Sequence, residues 1–244
     1  MTRIPQLLLG LLAIAVAVVL AGLLGRDAVI TAKAAKDTIT VTGSARQPIE
    51  SDLASWTLTV SAQDAAPAAA SQQLVALAAK VRSFLASGGL PDGSVSEPPL
   101  STEEIQEINR NGNPTGRVLA YKLTQTFVVE STEIDSVKAL AARVSDLLGK
   151  GVPVSAYPLE YVSTQLAAAK LQALKRAAEN ARDRARTIVE SLGGHLGKVR
   201  SAELGVYQVT PRNSTDVSDI GVNDTSSRQK DVTAVVSVTF AVGS

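Results

Sequence analysis

The sequence predicts an α+β fold: a mainly antiparallel sheet packed with three helices, preceded by an N-terminal transmembrane or signal segment. Three observations carry this. Stretches in the middle and at both ends of the region beyond residue 37 alternate apolar and polar residues, the period of a half-buried strand. Three other stretches repeat apolar residues every three or four positions, the period of one helix face. Ahead of all of these, residues 7–24 (LLLGLLAIAVAVVLAGLL) are apolar throughout.

As a helix, those eighteen residues span about 27 Å, close to the roughly 30 Å hydrocarbon core of a bilayer. A cleaved signal peptide has a shorter apolar core with a small-residue cleavage site close behind it. Here the best such site, Ala32-Lys33-Ala34, lies beyond the charged Arg26-Asp27. The expectation is a signal-anchor over residues 1–27, a linker over 28–36 and a folded domain over 37–244, with cleavage as the alternative. The positive-inside signal is weak, with Arg3 and the α-amino group before the span and Arg26, Lys33 and Lys36 after it. Orientation therefore rests on the signal-like form, which places the bulk of the chain outside the cytoplasm.

Residues 38–43 (TITVTG) alternate as a strand that Gln47-Pro48 is expected to break. Residues 52–63 are the clearest strand, with Ala54, Trp56, Leu58, Val60 and Ala62 on one face. Its place in that row makes Trp56 a core residue rather than a ligand platform. Residues 65–87 are helical in pattern, with Leu74, Leu77, Val81, Phe84 and Leu85 inward and Gly88-Gly89 as the stop. Residues 94–100 form a short edge strand, interrupted by Pro98-Pro99. The polar run 101–116, with its Glu103-Glu104 pair, reads as a solvated loop rather than an acid/base site. A long strand at 117–130 precedes an amphipathic helix at 133–148, with Thr132 as its N-cap and Gly149 as its stop. Residues 152–161 are a strand.

The longest periodic segment beyond the N-terminus follows, a helix over about residues 164–192 with Ser163 and Thr164 as candidate caps and Gly193-Gly194 as its stop. Leu166, Leu171 with Ala169 beside it, Leu174, Ala177, Ala178, Ala181, Ala185, Ile188, Val189 and Leu192 mark its inward side. The stripe is mostly alanine, which lets another backbone approach closely. Residues 198–209 are a strand, the polar run 210–230 a mobile loop, and 231–242 a closing strand with Val232, Ala234, Val236, Val238, Phe240 and Val242 aligned.

Composition narrows function by exclusion. A net charge of +1 provides no global field for nucleic acid, and 3% aromatics provide few stacking platforms. With no cysteine and one histidine, His195, thiolate chemistry is excluded and a metal site would fall to carboxylates, which show no ligand spacing. No Ser-centred elbow or phosphate loop is present. The expectation is no enzyme, no catalytic residue, no cofactor and no metal. The candidate interaction face is the cationic run Arg182, Arg184 and Arg186, interleaved with acids that favour intrahelical pairing.

Read together, five stretches resemble the SIMPL-domain family of bacterial envelope proteins. They are Ile39-Thr-Val-Thr-Gly43, residues 52–63, residues 170–186 (KLQALKRAAENARDRAR), residues 192–199 (LGGHLGKV) and the closing strand 232–240. The resemblance covers residues 36–242 in order and spacing. It implies a periplasmic or membrane-tethered α+β domain, linked to stress tolerance and capable in the family of ring-like self-assembly. It supplies no catalytic residues. The expected protein is a non-enzymatic envelope scaffold or interaction module, a homo-oligomer held at the inner membrane by its N-terminal helix, with its main domain in the periplasm and an envelope protein as a possible partner. The alternative is a ligand- or lipid-binding periplasmic module.

Overall fold

The computed structural model describes residues 37–243. The expected anchor over residues 1–27 and linker over 28–36 lie outside the described residues, among which no helix is long and apolar enough to cross a membrane. The fold is mixed α+β with antiparallel sheets and helices in the three predicted regions. The described residues divide into two compact units, one of Gln47–Lys170 and Gln208–Val232, the other of 37–46, Leu171–Tyr207 and 233–243.

The first unit is built on two long strands, β2 (Leu53–Asp64) and β5 (Pro114–Ser131), paired antiparallel from Ala54 opposite Ser131 to Asp64 opposite Tyr121. After β2 the chain forms helix α1 (Pro67–Ala86) and returns as β3 (Val95–Ser96) and β4 (Ser101–Ile108), both against β5. After β5 it forms α2 (Ile134–Ala142) and α3 (Ser145–Gly149), then returns as β6 (Val154–Ala156) and β7 (Glu160–Val162), both against β2. This β-α-β-β-α-β path, in spatial order β3-β5-β2-β6, is the ferredoxin-like split arrangement. The two strand–helix–strand passages visible in the sequence are its two halves.

Period-2 alternation explains the core. Ala54, Trp56, Leu58, Val60 and Ala62 of β2 join Leu123, Phe127 and Val129 of β5 on one sheet face, and α1 and α2 cover it with Leu74, Val81, Phe84, Leu85, Val137 and Leu140. Trp56 is a core residue, 2% exposed, its indole N–H donating to the Tyr157 carbonyl at 3.1 Å. The predicted middle helix divides at Arg143 and Val144 into α2 and α3, and the α2 N-cap position falls at Glu133, not Thr132. Ser131 Oγ, two residues before Glu133, accepts its amide at 3.1 Å.

Two expected loops are ordered otherwise. Residues 101–116 are β4 and the turn into β5, and Glu103 and Glu104 lie on β4 opposite Lys122 and Tyr121. β5 extends seven residues beyond its pairing with β2, so this end is a two-stranded ribbon. A ribbon whose residues are mostly exposed gives little alternation to its sequence, which is why the strand read as a loop. Its turn is held by Asn109, whose Oδ1 accepts the amides of Asn111 at 2.9 Å and Asn113 at 3.0 Å, with Gly112 at φ +81°. The polar run 210–230 is likewise stitched down. Strand β10 (Val222–Asn223) within it pairs in parallel with Gln208 and Val209 of β9 (Gln208–Pro211), the strand that leads into it. The buried Gln208 amide accepts from Val222 and Ser218 and donates to the Ser218 carbonyl at 2.7 Å.

The second unit packs helix α4 (Leu166–Ser191), from Leu171 onward, with parts of three strands. These are β1 (Thr38–Glu50), β8 (His195–Leu204) and β11 (Gln229–Gly243), with β11 between the other two. β1 runs through Gln47-Pro48 instead of breaking there. It ends the strand order, and an edge strand tolerates a proline. β8 begins at His195, earlier than the alternation suggested, and Val236 to Gly243 pair it from Leu204 back to His195. The closing strand buries Ala234, Val236, Val238 and Phe240 on one face, as its alternation requires.

Candidate functional site

Within the second unit the sequence dictates an unusual contact. Gly43, in the middle of β1, meets α4 so closely that a Cβ there would lie 2.2 Å from the Ala177 carbonyl oxygen and 2.4 Å from the Ala181 nitrogen. Strand backbone and helix backbone therefore touch directly. Only the smallest side chains fit along such a line, and Ala173, Ala177, Ala181 and Ala185 are all fully buried, followed by Val189. Their strict spacing of four exceeds the helical 3.6, so the buried stripe slants along an i±4 ridge and the helix crosses its partner obliquely. Two polar contacts fix the register: Asn180 Oδ1 accepts the Ser44 amide at 3.2 Å, and Arg184 donates to the Thr42 carbonyl at 2.9 Å.

This contact is the close backbone approach that the alanine stripe predicted, with Ala177, Ala181, Ala185 and Val189 buried as read, and it corrects the rest of that face, on which Ala178 is exposed. Leu171, Ile188 and Leu192, expected inside, are 68%, 44% and 83% exposed. Large side chains cannot enter a backbone-to-backbone contact and are displaced to its flanks. The helix ends as predicted, with Gly193 at φ +80°. Its amide donates to the Glu190 carbonyl and that of Gly194 to the Val189 carbonyl, the paired bonds of a Schellman cap.

The three candidate arginines are placed differently from one another. Arg184 is bonded to β1. Arg182 and Arg186, each two residues away and hence roughly 160° around the axis, occupy the opposite flank. Arg186 stands 3.9 Å from Asp183 in an exposed i,i+3 pair. His195 is an exposed residue at the start of β8, and among the described residues no group of three or more His, Asp or Glu is placed to hold a metal.

What sequence reasoning missed is an apolar surface. The β1 start and the α4 end enclose two adjoining grooves of about 620 and 600 Å³. Ile39, Ile188, Leu192 and Val242 supply the apolar lining, with Asp37, Asp183 and Arg184 as charged members. Beside it runs β8, on which every residue but Leu196 is exposed, including Val199 at 58% and Leu204 at 56%. The available signal was the glycine opposite an alanine stripe, which together require bulky neighbours to face outward.

Ionisable groups with displaced pKa values lie in the other unit. Hydrogen bonds from the Thr164 hydroxyl and amide hold the Asp52 carboxyl below the ordinary carboxylate value. Burial pushes Asp224 up, but hydrogen bonds from Ser226 and Ser227 and the nearby Lys230 charge outweigh it and leave it lowered. Burial pulls Lys230 down against the attraction of Asp224 and Glu160. Its ammonium donates to the carbonyls of Tyr161 at 2.6 Å and Asp224 at 2.7 Å. The Asp224 and Lys230 contacts tie the 210–230 segment to Tyr161, and the Asp52 contact ties the start of β2 to the residues before α4.

The family model SIMPL, described as "Protein of unknown function (DUF541)", matches residues 39–240. No curated protein matches the chain. Among solved structures, a de novo designed protein, Foldit4, is similar at 10% identity over 42% of this chain and 93% of its own, with a TM-score of 0.24. The ligand-free regulatory subunit of aspartate kinase from Thermus thermophilus is similar at 15% identity over 82% and 88%, with a TM-score of 0.20. A putative amidohydrolase/peptidase from Burkholderia cenocepacia is similar at 15% identity over 62% of this chain and 38% of its own, with a TM-score of 0.22. Scores of this size carry no functional information.

Proposed function

We propose that this chain, which belongs to the SIMPL family, is a non-enzymatic cell-envelope protein that works by self-assembly or by docking a partner. In this reading the apolar segment 7–24 holds it in the inner membrane and residues 37–244 stand in the periplasm, where the assembly contributes to envelope or oxidative stress tolerance. The observation that carries the reading is β8. It is a ten-residue strand paired on one side only among the described residues, with Val199 and Leu204 exposed on it. An open strand edge is a row of unpaired N–H and C=O groups, a template for a strand of another chain. Lys198, Arg200 and Glu203 intersperse the apolar positions, which favours a specific, charge-registered partner over indiscriminate pairing.

The test is the mass of the full chain in mild detergent, by light scattering on a sizing column at several concentrations. The expected result is one discrete, concentration-stable mass well above the 25.3 kDa of a single chain. A monomer at every concentration would remove self-assembly. A ligand- or lipid-binding module is the second reading, favoured by the groove between Ile39 and Leu192. An apolar molecule copurifying in fixed ratio with the protein would support it.

A further inference from the structure

We infer that the α4 end of the second unit, the exposed Leu192 and Ile188 with the groove they line, rests on the surface of an anionic lipid bilayer. This deepens the membrane-anchored reading above and rests on it. Four observations meet there. Leu192 and Ile188 are 83% and 44% exposed and line one apolar groove with Ile39 and Val242. The Gly193 and Gly194 amides cap the carbonyls of Glu190 and Val189, so the helix end presents fewer unpaired acceptors to an apolar medium. Charge is also divided unevenly between the units. The described residues of this unit carry eight Lys and Arg against five Asp and Glu, a net +3, whereas the other carries twelve against seventeen, a net −5.

The positive charge is concentrated near this end. Residues 182–200 contain five cations and two anions. Asp37 and Asp183 at the groove oppose them in part. Finally, β1 starts at this groove, and only twelve residues separate Asp37 from Leu24, the last residue of the apolar run. Even fully extended they reach about 40 Å, so an anchored chain keeps this end close to the bilayer. A basic surface carrying exposed leucine and isoleucine is the composition that anionic lipid attracts and an acyl boundary accepts. The acidic unit has the opposite electrostatic preference.

The absence of cysteine allows a single environment-sensitive probe to be placed at will. The full chain, labelled through Ser191→Cys beside the groove or Glu203→Cys at the far end of β8 in the same unit, is reconstituted into two kinds of vesicle. One is phosphatidylcholine alone, the other phosphatidylcholine with phosphatidylglycerol, each with a spin-labelled lipid as quencher. The expected result is flotation with the vesicles and quenching at residue 191 but not at 203, strong on anionic vesicles, weak on neutral ones and lost at high salt. Leu192→Glu should float undiminished and lose the quenching. A chain that floats but is unquenched at 191 on anionic vesicles overturns the docking and leaves the anchor standing. Equal quenching at both positions overturns it too. Concentration-dependent shielding of the 191 probe without lipid quenching assigns the face to a second copy. A chain that does not float removes the anchor and this proposal with it.

Discussion

Gly43 is the residue with the least freedom in the second unit. A methyl group there would meet two backbone atoms of α4 within 2.4 Å, and neither can rotate aside as a side-chain tip could. Gly43→Ala should therefore force helix and strand apart and cost about 3 kcal/mol, measured as a fall in unfolding free energy by denaturant titration. Asp52 is a second residue with a single dominant partner, Thr164. Its pKa is lowered in the folded chain, so its contribution is fully present above the unfolded value of about 4 and is lost as pH falls through the folded value. Asp52→Asn should lower Tm at neutral pH and make the fall of Tm below about pH 4 shallower than in the native protein. Parallel acid limbs in the two proteins would rule Asp52 out as a source of the acid sensitivity. Asp224, also lowered, keeps part of that limb in the variant.

At the scale of elements, α4 shows how one helix carries two kinds of apolar residue. Its alanines define the contact and its leucines define the surface. Ala181→Leu places a branched side chain where nothing larger than a methyl fits and should cost about 1–3 kcal/mol. Leu192→Ala, at a position 83% exposed, should change stability by no more than about 0.5 kcal/mol. Thermal or denaturant melts of the two variants separate these outcomes. A destabilised Leu192→Ala beside an unaffected Ala181→Leu would reverse the assignment of the two faces. The β4–β5 ribbon makes the complementary point: a two-stranded extension is marginal by itself, and here the Asn109 turn and the Glu103–Lys122 and Glu107–Arg117 pairs support it.

At the scale of the molecule, the described residues of a chain of net +1 divide into a basic unit of +3 and an acidic one of −5, the remaining +3 lying in residues 1–36. The whole-chain figure hides this local excess of cations, on which the proposed contact with an anionic bilayer rests. Self-assembly belongs to the same scale. If β8 is the joining edge, Val199→Lys with Leu204→Lys should reduce the mass seen by light scattering while leaving the far-ultraviolet circular dichroism unchanged, because both side chains are already more than half exposed. An assembly of unchanged mass would move the contact away from β8.

Local periodicity and local caps were decisive for much of this protein. The alternation of β2 and β11 identified their buried faces, Gly193-Gly194 marked the end of α4, and the five ordered stretches identified the family. Each of these depends on neighbours a few residues away, so the chain states them directly. That Leu171, Ile188 and Leu192 of α4 face outward, and that residues 101–108 and parts of the 210–230 run are strands, depended on partners far along the chain. Gly43 selects the alanines across more than a hundred residues, Asn109 closes a ribbon whose mostly exposed residues leave little alternation to read, and Gln208 satisfies the backbone of a segment that looks like open loop. Arg184 reads as one of three equivalent surface cations until Thr42 takes its hydrogen bond. Only the tertiary structure decides these, because burial and hydrogen bonding are settled by what packs against a side chain and not by the side chain's own character.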